Sequence, residues 1–173
     1  MMKLVIAVQF DDEGPGAWAA AVGFEAWDSP EPEKTWTTRI AEIGKPPKRG
    51  SGEPDLREVA CILQLMREHA LVPELIVIDG FVHLDVEETP ALGLHLYQAL
   101  GGNCPVMGVS KSARPALPEQ FEVMREEETR PLLVTCVGID LGAAKARLRA
   151  MHGRKRVPTL LKLAARLAKA GAA

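Results

Sequence analysis

A short apolar run at residues 75–79 most constrains what this chain can fold into. It reads Leu-Ile-Val-Ile-Asp and is followed by Gly80. Consecutive apolar residues rich in β-branching are typical of a strand buried on both faces of a sheet. Open α/β sheets place their ligands outside the carboxyl ends of such strands. The run therefore predicts an α/β fold with Asp79 at the edge where a functional site lies.

The segments before this run predict strands. Residues 3–10, 17–27 and 35–43 are apolar or partly alternating and are separated by turns rich in Asp, Gly and Pro, which predicts a three-strand antiparallel meander. The alanines of 17–27 also suit a helix.

The segments after the meander alternate between helical and strand patterns. Helices are predicted from Asp55, from Thr89-Pro90 to Gly101, over 141–152 and over 158–170; further strands are predicted at 105–109, 119–125 and 131–137. This order predicts a single α/β domain over residues 1–173, with a mixed sheet of the ribonuclease H-like arrangement flanked by helices.

Charge is distributed unevenly along the chain. Residues 141–173 carry nine Lys or Arg and no acidic residue, whereas the first 140 residues hold the other 12 basic residues and all 23 acidic ones. A basic segment on an acidic body suggests an anionic partner, and a solvated helix surface is the alternative. Lys162, Arg166 and Lys169 share one face of the last predicted helix, which we expect to pack on the domain with a basic ridge outward.

Four segments, taken in order, resemble the motifs of the endonuclease V family. They are Leu56-Arg57-Glu58, Val77–Gly80, Leu92–Leu96 followed by Pro105–Lys111, and Pro131–Pro158. The resemblance implies a ribonuclease H-like fold, cleavage of DNA or RNA near inosine, a role in DNA repair and a requirement for Mg²⁺ or Mn²⁺.

The resemblance also implies roles for particular residues. Glu58 and Asp79 correspond to metal ligands of the catalytic site, and Lys111 to a residue beside the phosphate. Ala7 stands where the family has its first catalytic aspartate, three residues before the aromatic Phe10. We expect Asp140, at the start of a predicted helix, to supply a third metal ligand.

Each of these residues also has a purely structural interpretation. Glu58 follows Asp55 by three residues, as in a helix capping box. Asp79 before Gly80 suits a turn, Asp140 suits a helix cap, and Lys111 suits a solvated strand end. His83, in the loop after Asp79, is either a general base or a plain loop histidine.

The sequence thus leaves three functional hypotheses. The first is a divergent metal-dependent endonuclease whose site is degenerate and whose activity is weak or altered. The second is an inactive nucleic-acid or protein binding module on the same fold, and the third is an unrelated protein with an acidic cleft. No apolar run approaches the roughly 20 residues of a membrane span, and no signal-peptide cleavage site is evident, so we expect a cytoplasmic protein.

Overall fold

A seven-stranded mixed sheet forms the centre of the molecule, described here from a computed structural model that covers residues 2–125 and 130–172. The strand order is β3-β2-β1-β4-β5-β7-β6. The strands are β1 (Lys3–Phe10), β2 (Ala17–Phe24), β3 (Lys34–Ile40), β4 (Leu75–Asp79), β5 (Val106–Ser110), β6 (Glu122–Val123) and β7 (Leu132–Val137). Strands β1, β4 and β5 are parallel to one another, and the remaining neighbours pair antiparallel. The predicted α/β class, with an antiparallel meander joined to parallel strands, is confirmed.

Helices cover both faces of the sheet. They are α1 (Arg57–Glu68), α2 (Leu92–Ala99), α3 (Leu141–Ala150) and α4 (Thr159–Ala172). Alternate residues of the central strands point to opposite faces, so that Ile76 and Ile78 pack with α1 and α2, while Val77 packs with α3 and α4. The core therefore has two apolar layers, one on each side of the sheet.

Strand β2 shows why a run of alanines forms a strand here. Ala19, Ala20 and Ala21 are completely buried because α1 covers one face of the strand and α4 covers the other. Side chains this small let both helices approach the sheet closely. The helical interpretation of this segment is wrong because two-sided burial outweighs the modest helix preference of alanine.

Several element boundaries differ from the prediction; α1, for example, begins at Arg57 rather than at Asp55. Helix α2 begins at Leu92 rather than at Thr89 because the segment before it forms a closed loop: Asp85 accepts hydrogen bonds from the Thr89 amide and hydroxyl (3.0 and 2.6 Å), and His83 pairs with Pro90 in a β-bridge. The predicted strand at 119–125 is a 3₁₀ turn, Glu119–Phe121, followed by the two-residue strand β6.

The loop after β4 crosses closely over β5. Gly80 has a φ of +141°, a conformation that side chains rarely adopt, and its amide donates to the Val109 carbonyl at 3.0 Å. A Cβ on Gly108 of β5 would lie 2.6 Å from the Gly80 carbonyl oxygen. The Val82 amide donates to the buried Thr135 hydroxyl at 2.8 Å, which fixes the other side of this crossing. The backbone that carries Asp79 is therefore held on both sides.

Among residues 2–125 and 130–172, no helix combines the length and the apolar character needed to cross a lipid bilayer.

Candidate functional site

The carboxyl ends of β1 and β4 lie side by side at one edge of the sheet. The register of these parallel strands pairs Ile6 with Ile78, so Ala7 and Asp79 come next on the two strands. Asp79 is solvent-exposed, whereas the four preceding residues of β4 are buried. Asp79, the site residue predicted from the strand pattern, is thus an exposed carboxylate at the end of an otherwise buried strand.

Helix α1 brings Glu58 to the same edge. Glu58 lies in the first turn of α1 and lines a small cavity of about 120 Å³ together with Ala7, Gln9 and Asp79. No side chain caps this helix, since Leu56 is its N-cap residue and Asp55 instead binds the amide and guanidinium of Arg57. The capping-box interpretation of Glu58 is therefore wrong, and the glutamate is directed to the cavity.

The electrostatics of the pair favour a cation. Burial, and after it the nearby negative charges of Asp79 and Asp55, together raise the pKa of Glu58 to about 7. Two carboxylates that disfavour each other's charge are stabilised by a shared cation, and Mg²⁺ commonly uses one or two protein carboxylates plus water and phosphate oxygens. The donor set of Glu58 and Asp79 therefore fits a hard divalent cation.

A second cavity lies on the α4 side of Asp79. It has a volume of about 240 Å³, and Asp79, Lys111 and Lys162 are its charged lining residues. Its remaining walls are apolar. They come from β1, β5, β7, the segment before α4 and α4 itself, and include Val5, Val109, Leu132, Val157 and Leu161. Lys111 is therefore placed at the site, as the resemblance implies, and Lys162 joins it there.

Asp140 lies far from this edge, and the prediction that it is a third metal ligand is wrong. Strand β7 runs antiparallel to β5, pairing Val137 with Val106 at the beginning of β5, so the residues after β7 leave the sheet at the opposite edge from Asp79. The carboxylate of Asp140 instead accepts a hydrogen bond from the Ala143 amide at 3.1 Å and caps α3. Within the described residues, no group of three or more His, Cys, Asp or Glu side chains is placed to hold a metal ion.

His83 is also held away from the carboxylate pair. Its ring is buried, with Nδ1 2.8 Å from the Asp85 carbonyl oxygen and an edge-to-face contact with Phe121 at 5.5 Å between centroids. It lines neither of the two cavities at Asp79. The structure therefore favours the interpretation of a packed loop histidine over that of a general base.

Solved structures of endonuclease V are similar to this chain in fold. The enzyme from Streptomyces avermitilis is 23% identical, with a TM-score of 0.73, over 99% of this chain and 81% of that one. Ciona intestinalis endonuclease V, in complex with DNA containing an inosine, is 16% identical with a TM-score of 0.75 over 99% and 85% of the two chains. Human endonuclease V is 19% identical with a TM-score of 0.74 over 99% and 84%. No protein-family model and no curated protein matches the sequence.

Because the sequence identities to these solved structures are below 25%, the structural similarity establishes the fold alone. This chain has the endonuclease V fold, and the resemblance that was predicted from four short motifs is confirmed at that level.

Proposed function

We propose that this protein is a weak, metal-dependent endonuclease that acts on DNA or RNA. The observation that supports the proposal best is the convergence of Glu58 and Asp79 at the carboxyl edge of the sheet, where burial and mutual repulsion raise the pKa of Glu58 to about 7. The endonuclease V fold supports the same reaction class, and the Ciona relative is described in complex with inosine-containing DNA.

Three residues have separate roles in the proposed cleavage of a phosphodiester. Glu58 and Asp79 would hold Mg²⁺ or Mn²⁺ through their carboxylate oxygens, and the bound ion would supply an activated water and neutralise the leaving oxygen. Lys111, exposed at the end of β5, presents an ammonium group from the neighbouring strand toward the phosphate. Its backbone is fixed because the Arg156 guanidinium donates to the Lys111 carbonyl at 2.7 Å.

The position of Ala7 explains why we expect the activity to be weak. Ala7 lines both cavities beside Asp79 but has no side-chain oxygen, and the side chain of Ala165 of α4 is likewise only a methyl group. With two carboxylates in place of three, metal affinity and the alignment of the attacked phosphate both decrease.

A comparison of two aspartate variants tests the proposal. Plain and inosine-containing DNA and RNA are incubated with the protein and Mg²⁺ or Mn²⁺, with Asp79→Ala as the test and Asp140→Ala as the matched control. We expect Asp79→Ala to abolish metal-dependent cleavage and Asp140→Ala to retain it. Cleavage that persists in Asp79→Ala would refute the assignment.

The same alanine supports a second candidate, an inactive nucleic-acid binding module. Restoring a carboxylate with Ala7→Asp distinguishes the two, because Ala7 adjoins Asp79 on the neighbouring strand. An endonuclease that lacks one ligand gains cleavage and metal affinity on this substitution. A module that binds nucleic acid without cleaving it, before and after the substitution, supports the second candidate.

A further inference from the structure

Two lysines that line one cavity point to a ligand of opposite charge. We propose that Lys162 of α4 and Lys111 form a binding site for a backbone phosphodiester, in the cavity on the α4 side of Asp79. The inference rests on the proposed function and adds Lys162 to its site.

The two cavities at Asp79 differ in the sign of the charged side chains that line them. Asp79, Ala7 and Ala165 line both, but Glu58 lines only the smaller one, and Lys111 and Lys162 line only the larger one. The smaller cavity is therefore acidic and the larger one carries two cationic groups against a single carboxylate. In the proposed complex, one backbone phosphodiester would contact both lysines. Its oxygens would also lie near the cation held by Glu58 and Asp79, because Asp79 lines both cavities.

The ammonium groups of the two lysines are available for a ligand. In the part of the chain that the structure describes, neither Lys111 nor Lys162 forms an ion pair with a carboxylate. The apolar walls around them, including Val109 and Leu161, lower the local dielectric constant and strengthen attraction to an anion. Because the walls offer few hydrogen-bonding groups, the cavity recognises the phosphate rather than the base.

Both lysines extend from fixed backbone. The Arg156 guanidinium donates to the carbonyls of Lys111 and Pro131, both at 2.7 Å, and ties the end of β5 to the beginning of β7. Helix α4 is anchored through its buried residues Leu160 and Ala164. A phosphate site built on packed elements needs little reorganisation when the ligand arrives.

The alternative is a general basic ridge on α4 without a defined site. Lys169 provides the comparison, because it is exposed on the same helix face seven residues later, about 10 Å along the axis by helix rise, and does not line the cavity. If only the ridge matters, Lys162 and Lys169 contribute equally to nucleic-acid binding. If the cavity is the site, Lys162 dominates.

The test compares Lys162→Ala with Lys169→Ala in a binding assay without divalent cations. Fluorescence anisotropy follows a short labelled single-stranded DNA, and an abasic version of the same length, over a salt titration. We expect Lys162→Ala to weaken binding about tenfold and to reduce the salt slope by about one, for both oligonucleotides. Lys169→Ala should change the affinity less than threefold, and Lys162→Arg should restore most of the binding.

Equal losses for Lys162→Ala and Lys169→Ala, or no loss for Lys162→Ala, would overturn the phosphate site. Since cleavage is not measured, that result leaves the proposed function to its own test with Asp79→Ala. Thermal melts of both lysine variants verify that an altered affinity does not come from unfolding. We expect the melting temperature to be unchanged in both, because both side chains are exposed.

Discussion

Replacing Glu58 with Gln should make the protein more stable at neutral and alkaline pH. Folding moves the Glu58 carboxyl into a largely buried place beside Asp79, so its charged form is disfavoured and its pKa rises from 4.5 to about 7. The folded chain then binds this proton more tightly than the unfolded chain. Stability contributed by the protonated carboxyl is complete below pH 4.5 and decreases as the pH rises to about 7.

The size of the effect follows from the pKa difference. A shift from 4.5 to about 7, at 1.36 kcal/mol per pKa unit, corresponds to roughly 3 kcal/mol lost between these pH values. In a domain of this size, that difference corresponds to roughly 6–12 °C in melting temperature. Hydrogen bonds from their partners lower the pKa values of Asp11, Asp55 and Asp85, so the contributions of these three carboxyls are lost only as the pH falls below about 4, outside this window.

Urea denaturation from pH 4 to pH 8 measures the prediction directly. We expect the free energy of unfolding of the unsubstituted protein to decrease by roughly 3 kcal/mol between pH 4.5 and pH 7, and that of Glu58→Gln to stay nearly constant. At pH 8, Mg²⁺ should stabilise the unsubstituted protein and have little effect on Glu58→Gln, because the ion offsets the repulsion between two carboxylates. An unchanged pH slope in Glu58→Gln would show that Glu58 is not the titrating group and would refute the reasoning.

Two core positions give further predictions, both measured by urea denaturation. Gly108→Ala should destabilise the fold by about 2–3 kcal/mol, because the new Cβ meets the backbone that carries Asp79. Gly142→Ala is the matched control and should not destabilise, because a Cβ there has only ordinary contacts with the Asp140 carboxylate. Equal effects of the two substitutions would contradict the close crossing. Arg125→Met should cost roughly 3 kcal/mol or more, because the buried guanidinium donates to four backbone carbonyls at the end of α3 and in the segment after it. Arg125→Lys should recover only part of this, and a loss below about 1 kcal/mol for Arg125→Met would show that water replaces these hydrogen bonds.

The position of Asp79 follows from the sequence because it depends on local pattern and on a general rule of sheet geometry. A β-branched apolar run identifies a strand buried on both faces, and parallel strands end at one edge. Ala7 and Asp79 are neighbours for the same reason, since β1 and β4 are parallel and in register. The motif order that resembles endonuclease V adds Glu58, which no strand rule places.

The position of Asp140 does not follow from local pattern. Residues 131–137 have the same apolar composition whether the strand runs parallel or antiparallel to β5, and a strand's direction is set by its connections and neighbours. Between β5 and β7 the described residues form a 3₁₀ turn and the two-residue strand β6 rather than a crossover helix, and β7 pairs antiparallel with β5. That reversal moves Asp140 to the opposite edge of the sheet. The sequence signal that could have indicated it is the lack of a predicted helix between the strands at 105–109 and 131–137.

The rotation of α4 about its axis explains why the sequence predicted Lys162 only as part of a basic ridge and not as a lining residue of the cavity at Asp79. The leucines at 160, 163 and 167 predict the face that packs on the sheet, but the most deeply buried residues are Leu160, Ala164 and Ala168, and Leu163 and Leu167 are only partly buried. Small residues let α4 approach β1 and β2 closely, and a hydrophobicity pattern gives alanine less weight than leucine although alanine sets this contact. The orientation of a helix on a sheet is therefore decided by packing between elements. That orientation, together with position along the helix, determines which of the three basic residues on this face reaches the cavity at Asp79.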